Sequence, residues 1–600
     1  MCGIAGIIHK EAGQISLQTL QAMGNALRHR GPDDSGTWID PTGKVGFAHQ
    51  RLSIIDISGA GAQPFHYMGR YSIVFNGEIY NYRELKQTLL KKGYTFHSET
   101  DTEVIPAALD HYGRDFLDQL NGMFAFVLLD HVEQVLWLAR DRFGEKPLYL
   151  LREERALYFG SEPAAIAAAK PLEPDMEMWS YFLGTGLPKS SGQSNRTFYR
   201  NLVQVPPATW ISIKLNDFTE TSGVYWTPPQ ADEQLQLTDD EAVETFAALL
   251  SQSVKQALIS DVPSGNSLSG GTDSSSICAV QNDLKATTDR KVFSAVFPGF
   301  AKDESKAILE VSERFGLNTC LVYPGKDGAE DIYNYLQQLQ EPVAHSSCYA
   351  QYKVFEAAQQ HGIKVLLDGQ GADEMLGGYN RYRTWYLQEL WKQGKKQFRT
   401  ECSEMGYSWG FKDQLTAMFP HTATWFLRKK TQRLVTHNRY LHPEFVRSFF
   451  QPSLIRKPVI TSLRQAMDYD ARSFGLEELL YYADRNAMAH GVEVRLPFLN
   501  RPLVDWLYKI TSNLKIRHGY GKWLLRKAMD KKLPANVCWN RIKTGFETPH
   551  NEWMNTVFMK ERTAEAIAHL KKERILSPGT PGNTNDTIFN WRVIQMAMHL

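Results

Sequence analysis

Two things are scarce in this 600-residue sequence: cysteine, with six in all, and charge imbalance, with 67 Lys and Arg against 66 Asp and Glu. Cys2, Cys278, Cys320, Cys348, Cys402 and Cys538 form no CxxC pair, so neither a disulfide framework nor a cysteine-based zinc site is expected. Free thiols fit a reducing compartment. A net charge of +1 gives no reason to expect nucleic acid or an anionic membrane as partner. The short basic cluster Arg428, Lys429, Lys430 and Arg433 reads as a solvated helix face. Long apolar runs are absent too: none approaches the roughly 18 residues that span a bilayer. No basic-then-apolar opening marks a secretory signal, and a cytoplasmic protein is expected.

What is present is length and pattern. A chain of 600 residues exceeds what one hydrophobic core serves, so two or more domains are expected. Over the first two hundred residues short β-branched and aromatic segments (4–8, 45–49, 71–75, 123–129, 135–139 and 157–160) predict strands. Helical patterns intervene at 17–28 and 82–91. Successive strands with few helices predict antiparallel sheets in an α+β domain over 1–205. Pro206-Pro207, Pro228-Pro229 and a polar stretch predict a linker over 206–236. From residue 237 to 600 the pattern changes. Thr238-Asp-Asp-Glu241 has the capping-box form, and Val243, Phe246, Leu250, Val254 and Ala257 recur at helical spacing. Strands at 291–297, 320–322 and 364–367 alternate with helices, predicting a parallel α/β sheet, and residues 380–600 read mainly helical.

The chemistry begins at Cys2, which becomes N-terminal once Met1 is removed. Its own α-amine, with an ordinary pKa near ~8, can then accept the thiol proton, so no separate histidine is needed. Downstream lie the turn-forming His29-Arg30-Gly31-Pro32-Asp33 and Arg51-Leu52-Ser53-Ile54-Ile55, whose guanidinium suits a carboxylate. Asn76-Gly77-Glu78 follows, with an amide and a backbone N–H suited to an oxyanion. Ser98–Glu103 adds Asp101. In this order after Cys2, these motifs resemble the class II glutamine amidotransferase domain, an N-terminal-nucleophile fold of antiparallel sheets sandwiched by helices. The resemblance implies that Cys2 attacks the glutamine side-chain amide, releasing ammonia, with Asn76 and Gly77 as oxyanion donors. It further implies that Arg51 and Ile54 help hold glutamine by its α-carboxylate end, and Glu78 and Asp101 bind its α-ammonium.

A second motif, Leu268-Ser269-Gly270-Gly271-Thr272-Asp273-Ser274-Ser275-Ser276, joins a strand to a helix. Its glycines and hydroxyls suit an anion, it lacks the Walker A pattern, and Asp273 beside an anion is best explained by a bridging Mg²⁺. It resembles the SGGxDSS pyrophosphate loop of ATP pyrophosphatases of the asparagine synthetase kind. Further matches follow: 293–297 including Val296, Glu341-Pro342, Gly369-Gln370-Gly371-Ala372-Asp373-Glu374, Gly377-Gly378-Tyr379, Asp484-Arg485, Glu493–Leu499, Tyr520-Gly521-Lys522 and Arg541-x-Lys543-x-Gly545-Phe546. The resemblance implies an ATP-pyrophosphatase domain that adenylates a carboxylate. ATP and Mg²⁺ would be held by Leu268, Ser269, Gly270, Gly271, Asp273, Ser274, Val296, Gly369, Gln370, Asp373 and Lys522, with Asp273 and Asp373 on metal and Lys522 on the leaving pyrophosphate. Glu341 either takes a proton from ammonia, by resemblance, or opens a helix.

Gln370 replaces the usual Glu, and segments Ala344–Tyr349 and Glu547-Thr548-Pro549 depart from the family pattern where acceptor choice could differ. Aspartate is the expected acceptor; a paralogue amidating another carboxylate, such as a uronic-acid sugar of surface polysaccharide, is the alternative. Partners are expected to be small molecules (glutamine, ATP and the acceptor), with a homodimer compatible and neither nucleic acid nor membrane.

Overall fold

The structure is a computed structural model that describes residues 2–191, 195–230, 233–285, 290–394, 396–541 and 547–600. In the N-terminal half the strands are β1 (Gly3–His9), β2 (Asp34–Ile39), β3 (Val45–Arg51), β4 (Phe65–Tyr67), β5 (Tyr71–Ile79), β6 (Gly122–Asp130), β7 (Val135–Arg140), β8 (Tyr149–Arg152), β9 (Ala156–Gly160), β10 (Leu202–Gln204), β11 (Thr209–Lys214) and β12 (Glu220–Val224). They form two six-stranded sheets, ordered β10-β8-β9-β1-β3-β2 and β12-β11-β7-β6-β5-β4, with every pairing antiparallel.

The period-2 alternation of a strand explains the layering. Ile4 and Ile8 of β1 face Val74, Val127 and Leu138 of the other sheet in a shared core. Ala5 and Ile7, on the opposite face of β1, pack under Leu20, Met23 and Leu27 of the first helix region. Helices Tyr82–Leu90 and Val104–Tyr112 cover the second sheet through Leu85, Leu89 and Ile105. Helix, sheet, sheet and helix thus stack in four layers, the sandwich expected from the sequence.

The stretch expected to be a linker is partly structured. β11 pairs with β7, and β12 with β11, so 209–224 extends the second sheet. Trp210, Ile211 and Ile213 supply the apolar and β-branched side chains of a strand, which the neighbouring prolines obscured. Asp239–Ala257 follows as a helix with the predicted capping box: Thr238 and Glu241 satisfy each other's backbone N–H groups.

In the C-terminal half β13 (Ser264–Ser267), β14 (Lys291–Ala295), β15 (Asn318–Val322), β16 (Val365–Leu367) and β17 (Glu493–Arg495) make a parallel sheet in the order β15-β14-β13-β16-β17. Strand order reverses between β13 and β16. In such sheets the crevice beyond the carboxyl ends at that reversal binds ligands, and both Gly-rich motifs start there.

The halves are joined by buried ions. Arg30, fully buried, donates from Nη1 to Glu162 (2.7 Å) and to Asp484 (2.9 Å), and from Nη2 to Asp484 (3.2 Å). Arg485 pairs with the other oxygen of Glu162 at 2.6 Å. These ions hold the Glu162 carboxyl well below its ordinary value although burial opposes it; Arg485 is the largest of the stabilising charges. Removing one member of such a cluster strands its partner in low dielectric. Asp484→Ala is therefore expected to lower unfolding free energy by about 3–5 kcal/mol, read as a lower urea midpoint; an unchanged midpoint would show that the cluster does not hold the halves together.

Candidate active sites

The N-terminal site forms where β1 begins beside the middle of β5. The Cys2 nitrogen donates to Asn76 Oδ1 at 3.0 Å, so the group that becomes the α-amine is already anchored. The other end of that amide, Asn76 Nδ2, is buried without a hydrogen-bond partner, a donor placed beside the thiol residue and unsatisfied. Gly77 is the only residue type that fits next to it: a Cβ there would meet Met123 O at 2.1 Å. Burial pushes the Cys2 thiol above its ordinary value, while the amino terminus, the Leu52 N–H and Arg51 pull the other way.

Arg51 is held from one side. Its Nη1 donates to Ser58 O at 2.7 Å and its Nη2 to Asp56 O, two of the five N–H donors a guanidinium carries. Ile54 is buried nearby in sequence, and its carbonyl accepts from Asp261 N at 2.9 Å. Glu78 and Asp101 are both buried. Asp101 accepts from Ile79 N at 2.7 Å, which ties it to the end of β5.

Two further members come from the other half. Arg495 Nη2 lies 3.3 Å from Glu78 Oε1, and Arg495 Nε lies 2.5 Å from Glu493 Oε1. In the sequence these residues read as part of a helical signature of the synthetase half; in the structure they form β17, whose period of two puts both side chains on the face toward β5. The signal was the alternation Glu493-Val494-Arg495 itself. Three carboxyl groups, Glu78, Asp101 and Glu493, thus meet one guanidinium. Burial raises the Asp101 carboxyl to about 6 and raises Glu78 well above its ordinary value, with Glu493 adding to the effect. Glu493 itself is held at about 2: burial opposes ionisation, but the amino terminus, Arg495 and Lys146 outweigh it. Glu78 Oε2 has no hydrogen-bond partner.

The C-terminal site lies at the strand-order reversal. After β13, Ser269 N donates to Ser274 Oγ at 3.1 Å, folding Leu268–Gly271 back on the start of helix Thr272–Asp283. Gly270 has φ +74° and its missing Cβ would press on Ala307 and Ile308. After β16, a Cβ on Gly369 would lie 2.9 Å from both Asp273 Cβ and Ser274 N, so the two loops touch. Lys522 Nζ sits between their acids, 2.7 Å from Asp273 Oδ2 and 2.8 Å from Asp373 Oδ1. Burial alone would lower the lysine, but Asp273 and Asp373 hold it above its ordinary value. Gln370 N donates to Asp368 Oδ1 at 3.1 Å. Val296, just past β14, lines a cavity of about 560 Å³ with Phe297, Phe300, Tyr323 and Pro549.

The Glu341 carboxylate accepts from Tyr149 OH at 2.7 Å and from Phe198 N at 3.2 Å, both in the N-terminal half, so it lies at the domain junction. Of the motif at 541–546, residues 542–546, including Lys543, Gly545 and Phe546, lie outside the described residues.

Comparison with known proteins agrees with this division. Residues 1–226 match the glutamine amidotransferase domain family and residues 245–580 the asparagine synthase family. The protein is a glutamine-dependent amidotransferase that forms carbon–nitrogen bonds. It is 31% identical to asparagine synthetase [glutamine-hydrolyzing] 1 of Bacillus subtilis, over 96% of this chain and 92% of that protein. It is 27% identical to asparagine synthetase [glutamine-hydrolyzing] 3 of the same organism, over 93% and 90%. The chain belongs to the glutamine-hydrolysing asparagine synthetase family. A fungal relative, amidase chry2 of Gibberella zeae, is 27% identical over 92% of this chain and 90% of its own.

Asp101 yields a prediction whose sign is fixed. Its folded pKa, about 6, lies above the ordinary aspartate value, so its ionisation costs stability above pH 6, and the cost vanishes as pH falls toward ~4. Asp101→Asn removes it. The variant is expected to unfold at a higher urea midpoint than the parent at pH 7.5, the gain shrinking between pH 6 and 4; a gain independent of pH would mean that Asp101 does not titrate there.

Proposed function

We propose that the protein is an ATP-dependent asparagine synthetase that takes ammonia from glutamine and delivers it to activated aspartate. The observation that carries the two-site reading is a pair of separate residue clusters: a buried thiol residue beside an unsatisfied Asn76 amide, and a buried Lys522 gripped by Asp273 and Asp373.

In the first half-reaction the α-amine of Cys2 takes the thiol proton and the sulfur attacks the glutamine side-chain amide. Asn76 Nδ2 and the Gly77 N–H receive the oxyanion, ammonia leaves, and water releases glutamate from the thioester. Arg51 binds the glutamine α-carboxylate beside Ile54. Glu78 and Asp101 bind the glutamine α-ammonium.

In the second, a carboxylate oxygen of the acceptor attacks the α-phosphate of ATP, and pyrophosphate leaves. The loop Leu268, Ser269, Gly270, Gly271 and Ser274, with Gly369 and Gln370 opposite, cradles the phosphates. Lys522 neutralises charge on the leaving group, and the aromatic cavity beside Val296 accepts the base. Asp273 and Asp373 fit Mg²⁺, because two carboxylates already converge on one cation, the Lys522 ammonium; the ion would supply further neutralisation of pyrophosphate. Ammonia then displaces AMP from the acceptor carbonyl, with Glu341 taking a proton from the attacking ammonia.

A second acceptor has one observation in its favour. The two segments that depart from the family pattern meet: Ser346 Oγ bonds Thr548 Oγ1 at 2.8 Å, and His550 Nδ1 contacts Ser346 Oγ at 3.0 Å. Burial lowers His550 and His345 below the usual imidazole range. Neutral hydrogen-bonding groups suit the hydroxyls of a uronic-acid sugar better than the charges of free aspartate.

Three measurements test these readings. Cys2→Ala is expected to abolish glutamine-dependent amide formation while ammonia-dependent synthesis continues. Asp273→Asn or Lys522→Ala is expected to lower AMP formation by about 10²–10³ and to spare glutamate release; accumulation of ADP in place of AMP would contradict the pyrophosphatase chemistry. For the acceptor, AMP release with ammonia and saturating ATP is expected with L-aspartate. Silence with aspartate beside a response to uronic acids or their nucleotide sugars assigns the second acceptor.

A further inference from the structure

The helix Pro420–Thr436 carries a surface that neither half-reaction uses. It is anchored on one side only. Thr424 and Val435 are buried, and Val435 seats so closely on Gly184 of helix Met176–Thr185 that a Cβ there would lie 2.7 Å from it. Arg428 is tied inward by its bonds to Lys457 O. The opposite face is open: Trp425 is 53% exposed and Phe426 62%. With Phe411 and Phe419 on the adjoining turn, these are the four exposed Phe and Trp side chains among the described residues.

The charge on this face is of one sign. Residues 414–443 contain five Lys and Arg and no Asp or Glu, and Lys429, Lys430 and Arg433 point outward with the rings. The order of residues along the helix decides what fits. Trp425, Lys429 and Arg433 form one i, i+4 row, and Phe426, Lys430 and Leu434 the next. A partner protein's groove asks for an apolar stripe set apart from charge. A two-fold contact with a second copy would set the same three cations against each other. Interleaved rings and cations instead match a layer that offers hydrocarbon and anionic groups at every point, with lysine stems lying along the apolar side chains and their ammonium groups reaching outward.

We propose that the outer face of Pro420–Thr436 docks the enzyme on an anionic phospholipid bilayer, as a peripheral contact that no spanning helix is needed to make. This revises the expectation that Arg428–Arg433 is only a solvated face and that no membrane is a partner.

Co-sedimentation of the full-length protein with vesicles tests it. Binding is expected to phosphatidylcholine vesicles containing phosphatidylglycerol at low salt, to be absent with phosphatidylcholine alone, and to weaken as salt rises. Lys429→Glu with Lys430→Glu is expected to weaken binding about tenfold or more, and Trp425→Ser with Phe426→Ser to abolish it. Glutamate release from glutamine, unchanged in both variants, shows that they fold. No binding to the anionic vesicles, or binding unchanged in both variants, overturns the proposal. So does sedimentation velocity showing that the parent self-associates and the variants do not, which would make a second copy the occupant.

Discussion

Arg30 is the contact on which the arrangement turns. A guanidinium with no exposure to solvent is costly unless its donors are satisfied by anions, and here the anions come from both halves: Glu162 from the N-terminal half and Asp484 from the C-terminal half. The same side chain donates from Nε to the carbonyl of Cys2 at 3.2 Å. One residue therefore fixes the backbone of the nucleophile and the seating of the second domain together. Lys364 and Asp33, 2.8 Å apart, and Trp226 Nε1 with Asp505, 3.0 Å apart, extend that seating around it.

The strand β17 makes the dependence mutual. Its side chains Glu493 and Arg495 reach the Glu78 cluster, while its backbone belongs to the parallel sheet. Asp368 N, at the root of the second phosphate-side loop, donates to Arg495 O at 3.0 Å. Arg495 thus has its side chain in the thiol site and its carbonyl against the root of the loop of Gly369 and Asp373.

Much of this was legible in the sequence. Strands rich in β-branched and aromatic residues, such as β1 and β6, and the capping box at Thr238 were read correctly because the information is local. So were the loops at Gly270 and Gly369, where a missing Cβ is what lets two backbones touch. What local pattern does not carry is partnership across long separations. Asp484, Arg485, Glu493 and Arg495 were read, by resemblance, only as part of a signature of the synthetase half, whereas their partners Arg30, Glu162 and Glu78 lie hundreds of residues away. The bond from Tyr149 to Glu341 was invisible for the same reason. Strands β11 and β12 were lost among prolines, since their pairing with β7 is a tertiary fact.

Those two strands have a practical consequence for cutting the chain. β7 pairs with β6 on one side and β11 on the other. A fragment ending at residue 205 would leave β7 as an open edge, a row of unpaired N–H and C=O groups along Leu136 and Leu138 that invites edge-to-edge aggregation. An isolated glutaminase half has to run at least through Val224 to close its own sheet. Even then it would carry Arg30 stripped of Asp484 and, if it ran on to residue 226, the Trp226 indole stripped of Asp505.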